Sequence, residues 1–517
     1  DFEGSIKRMK RWGGRGPGRR GGNSSDEELQ TSALNNFLRT FTEEEETDWK
    51  RNKGSFNMET SANPYFIFPM LYNFQNNIQS TQWPITNRVF EAYLKNQETD
   101  MRSVFMRDMN GLSNDEKANI LLQDHSFNEI LSDEAQKDII GNVIKLKGDV
   151  LFSNIQYKVG SDKFESFLKQ MLNEYRFKNI SFETFNGKLI REFGINLIPM
   201  MDEWFKAKSL PGYLISPIKA VKVKSGDMMR TMVSLKITNF TETQGLVKFS
   251  FRLGGGFGGP GRPSGQGNEE TIDKLVELGP HITKQLSYLL DADPRMVLVN
   301  TMTSKNIPQT ITERFRNIDE DKKAAPFEGE KLNATPVQTV LSNEIIVDNE
   351  DPEFEVTNNQ QENLLQKWLI KKDEEELKYS GMNFWRPPTQ WTDVTNSDFY
   401  GTYVRSAYYI KGGDGSQLAR WHVPVKKSGY YDLYYYFYQA RRGGPPGRGR
   451  NKESGKYHFV IHSDEGADEV ELENSKAENG WNHLGTFYFS TDTALVELSN
   501  KYEGRIVFAD AVKIVEM

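Results

Sequence analysis

The sequence predicts a multidomain α + β protein: an α-helical domain followed by two β-sandwich domains. Three observations carry that expectation. The chain has 517 residues, well beyond the ~250–300 at which a single hydrophobic core stops growing. Apolar residues recur with helical spacing from residue 26 to about residue 204 and alternate with period two thereafter. A polar, irregular stretch at 316–336 then splits the period-two sequence in two. The expected divisions are 1–60 (a Gly/Arg-rich segment and lead-in), 61–214 (helical), 215–320 (first sandwich), 321–344 (linker) and 345–517 (second sandwich).

The helical period is clearest at 162–175, where Phe164, Phe167, Leu168, Met171, Leu172 and Tyr175 share one face and Lys163, Glu165, Lys169 and Glu174 take the other. Ser161 or Asp162, following Gly160, supplies its start signal. An earlier helix at 135–157 carries Ile139, Ile140, Val143, Leu151 and Ile155; a later one begins at Ser181, buries Phe185, Leu189 and Phe193, and stops at Gly194. Strands of the first sandwich are expected at 220–223, 232–237, 246–253, 274–278, 284–289 and 296–299, with a turn at 239–245. The last domain shows strand-like runs at 345–347, 401–410, 419–425, 430–438, 457–462, 468–472, 484–489, 494–498 and 506–515, and one short charged helix at 364–379. Three Gly/Arg-rich tracts, 10–22, 253–267 and 441–450, hold too much Gly and Pro to bury apolar surface and read as solvated loops.

The net charge of −7 argues against nucleic acid as a partner, because that affinity comes mostly from neutralised phosphates. No run of ~18 apolar residues is present, so no membrane span is expected in this chain. The absence of cysteine removes disulfides, thiol nucleophiles and thiolate metal sites together. A start at Asp1 rather than Met reads as a mature product or an excised portion of a longer protein. None of the six histidines, His125, His281, His422, His458, His462 and His483, stands in an HExxH pair. His458 and His462 lie in a strand-like run, where positions four apart stand too far apart for easy chelation. Nucleophile-elbow, phosphate-loop and dinucleotide motifs are missing as well, and the acidic clusters 43–46 and 373–376 read as solvated faces. Accordingly no catalytic residue, metal or cofactor is expected.

Aromatic density in the last domain is more informative. Along 433–438, alternation sends every second side chain to the core. Phe437 is the ring least suited to water, so Tyr435 and Phe437 are expected inside and Tyr434, Tyr436 and Tyr438 outside. The outward set forms a strip suited to sugar rings or a protein surface, and Trp385 and Trp391 are further binding candidates. In the run Ala419-Arg420-Trp421-His422-Val423, the same alternation puts Trp421 with Val423 on one face.

The last domain resembles the golvesin C-terminal-like domain, related to the carbohydrate-binding module of xanthan lyases. The resemblance rests on Ile346-Val347-Asp348-Asn349-Glu350-Asp351, on Ala419-Arg420-Trp421-His422-Val423, and on Gly429-Tyr430-Tyr431-Asp432-Leu433-Tyr434. It continues through Gly480-Trp481-Asn482-His483-Leu484-Gly485-Thr486-Phe487 and Phe508-Ala509-Asp510-Ala511-Val512. It implies a β-sandwich on an exported bacterial protein, with Trp421 as the core anchor.

The helical domain is similar to the catalytic domain of M1-type (gluzincin) aminopeptidases. Lys147-Gly148, Gly160-Ser161-Asp162-Lys163-Phe164, Tyr175-Arg176-Phe177-Lys178-Asn179-Ile180 and Met201-Asp202-Glu203-Trp204-Phe205 carry this likeness, with Trp83-Pro84 and Asn87-Arg88-Val89-Phe90-Glu91-Ala92-Tyr93 upstream. It implies that Lys145 stands at the family's transition-state tyrosine and Arg88 at the glutamate ligand of zinc. By family spacing, Tyr65, Phe66 and Pro69 stand where HExxH belongs. None of these side chains could complete a zinc site, so the resemblance implies an inactive peptidase fold.

Together these features predict a non-catalytic binding or scaffolding protein of a Gram-negative, Bacteroidota-type cell envelope, located outside the cytoplasm. Its expected partners are an envelope protein or peptide and a glycan. The alternatives are an active zinc aminopeptidase completed by upstream sequence, or a carbohydrate-binding accessory module.

Overall fold

In the computed structural model of the chain, the described residues are 78–95, 112–175, 178–253, 270–315, 317–332, 334–338, 340–357, 379–384, 386–439, 455–490 and 492–517. Tyr65, Phe66, Pro69 and Trp385 lie outside them. So do the three Gly/Arg-rich tracts, save Leu253, and the expected helix at 364–379, save Tyr379. The chain divides into two compact units, of which the first holds, among the described residues, 78–87 and 165–192, and the second the remainder.

In the first unit Ile78 and Gln79 pair in parallel with Ile180 and Ser181. Trp83 meets Phe182 edge-on at 5.4 Å, Phe167 packs on Phe185, and Lys188 pairs with Glu174 at 2.8 Å. The amphipathic helix predicted at 162–175 is found at Ser161–Glu174, and the one after it at Phe182–Phe193.

The second unit opens with helices at Asn114–Asp124, Phe127–Ser132, Ile140–Val159 and Ile198–Lys206. Two of them begin with a reciprocal cap, in which Ser113 accepts from the Glu116 amide while the Glu116 carboxylate accepts from the Ser113 amide, and Ser126 and Glu129 repeat the arrangement. The helix expected from residue 135 starts five residues later, because Glu134–Gln136 forms a 3-10 turn. Val143, Leu151, Phe152 and Ile155 bury its inner face, with Phe90 and Tyr93 against Phe152.

The first sandwich comprises a sheet ordered Thr310–Arg314, Pro294–Asn300, Gly245–Leu253, Glu270–Leu278 and a second ordered Gly329–Leu332, Thr283–Leu290, Met228–Asn239, Tyr213–Ile215, with Lys219–Ser225 also on Met228–Asn239. Val233, Leu235 and Ile237 from one sheet meet Val247, Phe249 and Phe251 from the other in a single core. The stretch expected as a linker contributes a strand: Gly329–Leu332 pairs antiparallel with residues 284–287, and Lys284 reaches Glu330 at 2.6 Å. Four residues with two charged side chains and one apolar one, Leu332, were too short a pattern to mark it as a strand.

One loop fastens these parts. The Asn119 side chain on the helix Asn114–Asp124 donates to the carbonyls of Ser304 (3.1 Å) and Asn306 (3.2 Å) and accepts from the Ser304 amide. The Ile307 amide donates to the Tyr403 carbonyl (3.0 Å), and the Arg405 amide donates to the Ile307 carbonyl (2.7 Å).

The second sandwich sets the sheet Glu344–Val347, Val512–Glu516, Gly429–Phe437, Gly480–Phe489 against Phe354–Val356, Leu418–Val425, Asp492–Ser499, Lys456–Ser463, Gly466–Glu473. A short sheet of Thr392–Thr395, Ser406–Lys411 and Ile506–Ala509 flanks them. Two expected strands change. The run at 401–410 becomes strand only from Ser406, and the run at 506–515 breaks at Asp510 and Ala511 into two strands of different sheets. The apolar residues on both sides of Asp510 show no parity change that would mark such a crossing.

Trp421 is fully buried beside Val423, Tyr435 and Leu433, and its indole N–H donates to the Asp510 carbonyl at 3.1 Å. Trp421→Ala should therefore cost about 3–5 kcal/mol, and Trp421→Phe, which keeps most of the packing but orphans the carbonyl, clearly less. Urea denaturation of both variants checks the order; equal midpoints would show that packing at this position contributes little.

Candidate functional site

The strand Gly429–Phe437 obeys strict alternation: Tyr431, Leu433, Tyr435 and Phe437 are buried, while Tyr430, Asp432, Tyr434 and Tyr436 turn away from the core. Its neighbour Gly480–Phe489 must match this parity over ten residues, and does so with a bulge. Leu433 pairs with Gly485 and Tyr434 with His483, which leaves Leu484 as the extra residue. Gly485 occupies φ +155, where a Cβ would meet the Phe487 ring at 2.8 Å, so the bulge needs glycine there. The bulge shifts the outward positions from Tyr488 and Thr486 to His483 and Trp481, and without it Leu484 and Asn482 would occupy that face.

Cross-strand ring pairs result. Tyr430 meets Tyr488 at 5.2 Å, Tyr434 meets His483 at 5.1 Å, and Tyr436 meets Trp481 edge-on at 5.1 Å. Tyr400, delivered by the loop before Ser406–Lys411, closes the last group at 5.5 Å from Tyr436 and 5.2 Å from Trp481. Lys513 of the adjacent strand stands over the Tyr434 and Trp481 rings at 5.1 and 4.8 Å and pairs with Glu344 at 2.9 Å. Between the ring groups, Asp432 accepts from Thr486 (2.6 Å) and meets His483 Nε2 at 3.3 Å. These contacts, the Thr486 hydroxyl first, hold the Asp432 carboxyl below its ordinary value. Burial raises Tyr436 to about 12, so its phenol stays protonated in neutral water. From Tyr430 to Tyr436 the face runs about 20 Å, six residues at ~3.3 Å each. It offers rings, a carboxylate, a hydroxyl, an imidazole and an ammonium on one surface.

Not every expected binding residue is here. Tyr438 is buried, packed edge-on against Phe399 (4.8 Å) and Phe508 (5.1 Å), because the strand ends at Phe437 and alternation ends with it. Trp391 is buried in the main core of the sandwich. Trp481, Tyr400, His483 and Lys513 were missed as binding residues. The glycine inside Trp481-Asn482-His483-Leu484-Gly485-Thr486 was the available signal for the bulge that exposes Trp481 and His483; Tyr400 sits in a loop and carried none.

The positions singled out in the helical region lie apart from this face. Arg88 is paired with Glu91 at 3.1 Å, and Lys145 with Asp115 at 2.9 Å. Lys145 and Tyr438 both line a cleft of about 990 Å³. Lys147 is buried with its ammonium 5.8 Å from the Phe127 ring and 5.6 Å from the Trp204 ring, and its carbonyl accepts from Trp204 Nε1 at 3.0 Å. Among the described residues, no three His, Asp or Glu side chains gather as a metal set.

Residues 382–516 match the Golvesin C-terminal domain. No curated protein matches the chain. Among solved structures the chain is similar to a Paenibacillus xanthan lyase, at 15% identity and a TM-score of 0.24, over 60% of this chain and 26% of that one. It is similar to CBM35 from Cellvibrio japonicus Abf62, at 16% identity and a TM-score of 0.16, over 24% of this chain and 80% of that one. A family 35 carbohydrate binding module from Clostridium thermocellum aligns at 11% identity and a TM-score of 0.17, over 24% of this chain and 88% of that one. The chain thus spans about a quarter of the length of the xanthan lyase.

Burial lowers the Lys147 ammonium from 10.5 to about 8, with Glu203 opposing it. The unfolded chain keeps this proton up to about pH 10.5 and the fold releases it above about 8, so stability should rise between those values. Lys147→Met should remove that rise and stabilise the protein at pH 7 by roughly 1–2 kcal/mol, a part of the ~3 kcal/mol that the depression represents. Thermal melts at pH 7, 9 and 10.5 check this; a parent chain indifferent to pH in that window contradicts it.

Proposed function

We propose that this chain is a non-catalytic accessory protein of the cell envelope, exposed outside the cytoplasm, and that its last domain holds a polysaccharide on the sheet face of Tyr430, Tyr434, Tyr436 and Trp481. One observation carries the proposal: the ring pairs lie in register along about 20 Å of one open face, with Asp432, Thr486 and His483 between them. Pyranose rings present apolar C–H faces to aromatic rings and hydroxyl edges to polar groups, and this face supplies both in alternation. The match of residues 382–516 to the Golvesin C-terminal domain supports the same assignment, since that family resembles the carbohydrate-binding part of xanthan lyases.

The helical region is proposed to serve as scaffold on an inactive M1-type fold. Its support is that Arg88 and Lys145, at positions where that family uses a zinc ligand and a transition-state tyrosine, are engaged with Glu91 and Asp115.

Affinity electrophoresis of the intact chain through a panel of soluble acidic and neutral polysaccharides tests the proposal. Retardation is expected in at least one polymer. Tyr436→Ala and Trp481→Ala should each weaken it by at least ~10-fold, about 1.4 kcal/mol, with little change in melting temperature. Unretarded migration in every polymer, or variants retarded like the parent, would sink the assignment.

A further inference from the structure

The cleft that receives Lys145 and Tyr438 is not part of the aromatic face. Its floor is the outer surface of the first sandwich's four-stranded sheet. Phe249, Phe251, Val297, Val299 and Ile311 point into the core, so Ser250, Asn300, Thr310 and Thr312 point the other way, into the cleft. The helix Ile140–Val159 forms the opposite wall, and residues 396–398 with Tyr438 close one end. The loop Ser304–Ile307, fastened to Asn119 on one side and to Tyr403 and Arg405 on the other, fixes these walls in place. The cavity is therefore built by backbone and buried amide contacts rather than left between loosely placed parts.

Its polar groups ask for a ligand. Gln309 lines the cleft and is only 6% exposed, yet its Oε1 has no hydrogen-bond partner. A buried carbonyl left without a donor is destabilising, and a ligand O–H or N–H would supply the missing hydrogen bond. Thr310 and Thr312 stand on the same floor, and among the described residues their hydroxyls have no hydrogen-bond partner. The lining charges are of both signs, and four of them are paired, Lys145 with Asp115 at 2.9 Å and Lys248 with Asp273 at 2.8 Å. Hydroxyls, amides and tyrosine rings beside Leu275 and Leu298, with charges of both signs, suit the hydroxyl edges and C–H faces of an uncharged polyhydroxylated molecule. A volume of about 990 Å³ admits a short chain and not the length of a polymer.

We infer that this cleft is a second binding site, for a short neutral oligosaccharide, with Gln309, Thr310 and Thr312 supplying its hydrogen bonds. The site stands independently of the aromatic face, and the test disables that face first. The full chain carrying Trp481→Ala is titrated calorimetrically with neutral gluco-, manno- and xylo-oligosaccharides of two to four sugars, and in a parallel arm with a mixture of short peptides. Binding of at least one neutral oligosaccharide is expected. Adding Thr310→Val and Thr312→Val should weaken it by at least ~10-fold with an unchanged melting temperature, and Gln309→Leu should weaken it independently. Three results would overturn the inference: no oligosaccharide bound in the Trp481→Ala chain, binding indifferent to both sets of substitutions, or saturable binding of peptides alone.

Discussion

The second sandwich depends on four residues of buried backbone. Between Phe508 and Ala511 the chain leaves one sheet and enters another: Phe508 and Ala509 pair with a strand on one side alone, Asp510 and Ala511 lie between the two strands, and buried carbonyls and amides without partners are expensive. Aromatic side chains serve instead. Trp421 Nε1 donates to the Asp510 carbonyl at 3.1 Å, the Tyr435 hydroxyl donates to the Phe508 carbonyl at 2.5 Å, and the Phe508 amide donates to the Tyr457 hydroxyl at 3.1 Å. The Tyr436 amide, from the neighbouring strand, donates to the Ala511 carbonyl at 2.9 Å. Tyrosine and tryptophan are needed here because each brings a large apolar body and one polar tip. The tyrosine-rich strand thus serves two purposes by parity: Tyr435 holds the crossing from inside while Tyr434 and Tyr436 form the outer face.

The same crossing sets the edge of that face. Asp510 is fully buried, and its Oδ2 accepts from the Tyr400 amide at 3.2 Å, which places the Tyr400 ring against Tyr436 and Trp481. Asp348 lies close enough to interact with it, and burial raises both carboxyls, Asp348 to about 8 and Asp510 well above its usual range. The two titrate as a pair. Burial disfavours charge on both, so the loop carrying Tyr400 is anchored on a carboxyl that the fold favours in its neutral form.

Much of this was legible in the sequence, and the failures have physical causes. Period-two alternation located the strands around Trp421 and Tyr435 because both faces of each strand differ sharply in polarity. It assigned Tyr434 and Tyr436 to the outside because Phe437, on the opposite parity, is the ring least suited to water. It failed at Tyr438, one residue past the strand end, because parity has no meaning once the ladder stops. It failed at Asp510, where apolar residues on both sides of one aspartate hide a change of sheet. Trp481 needed the bulge at Leu484 and Gly485, which only pairing with Leu433 and Tyr434 reveals. Gln309 and the cleft floor could not be read at all, because they arise where residues distant in sequence, from Lys145 to Tyr438, are brought to one place.

The most direct test of the account is a crystal structure of the full chain grown with a fragment of whichever polysaccharide retards it. The account predicts sugar rings lying along Gly429–Phe437 and Gly480–Phe489, one stacked on Trp481 or Tyr436 and with a hydroxyl on Asp432 or His483. Ordered sugar elsewhere, with this face bare, would contradict it.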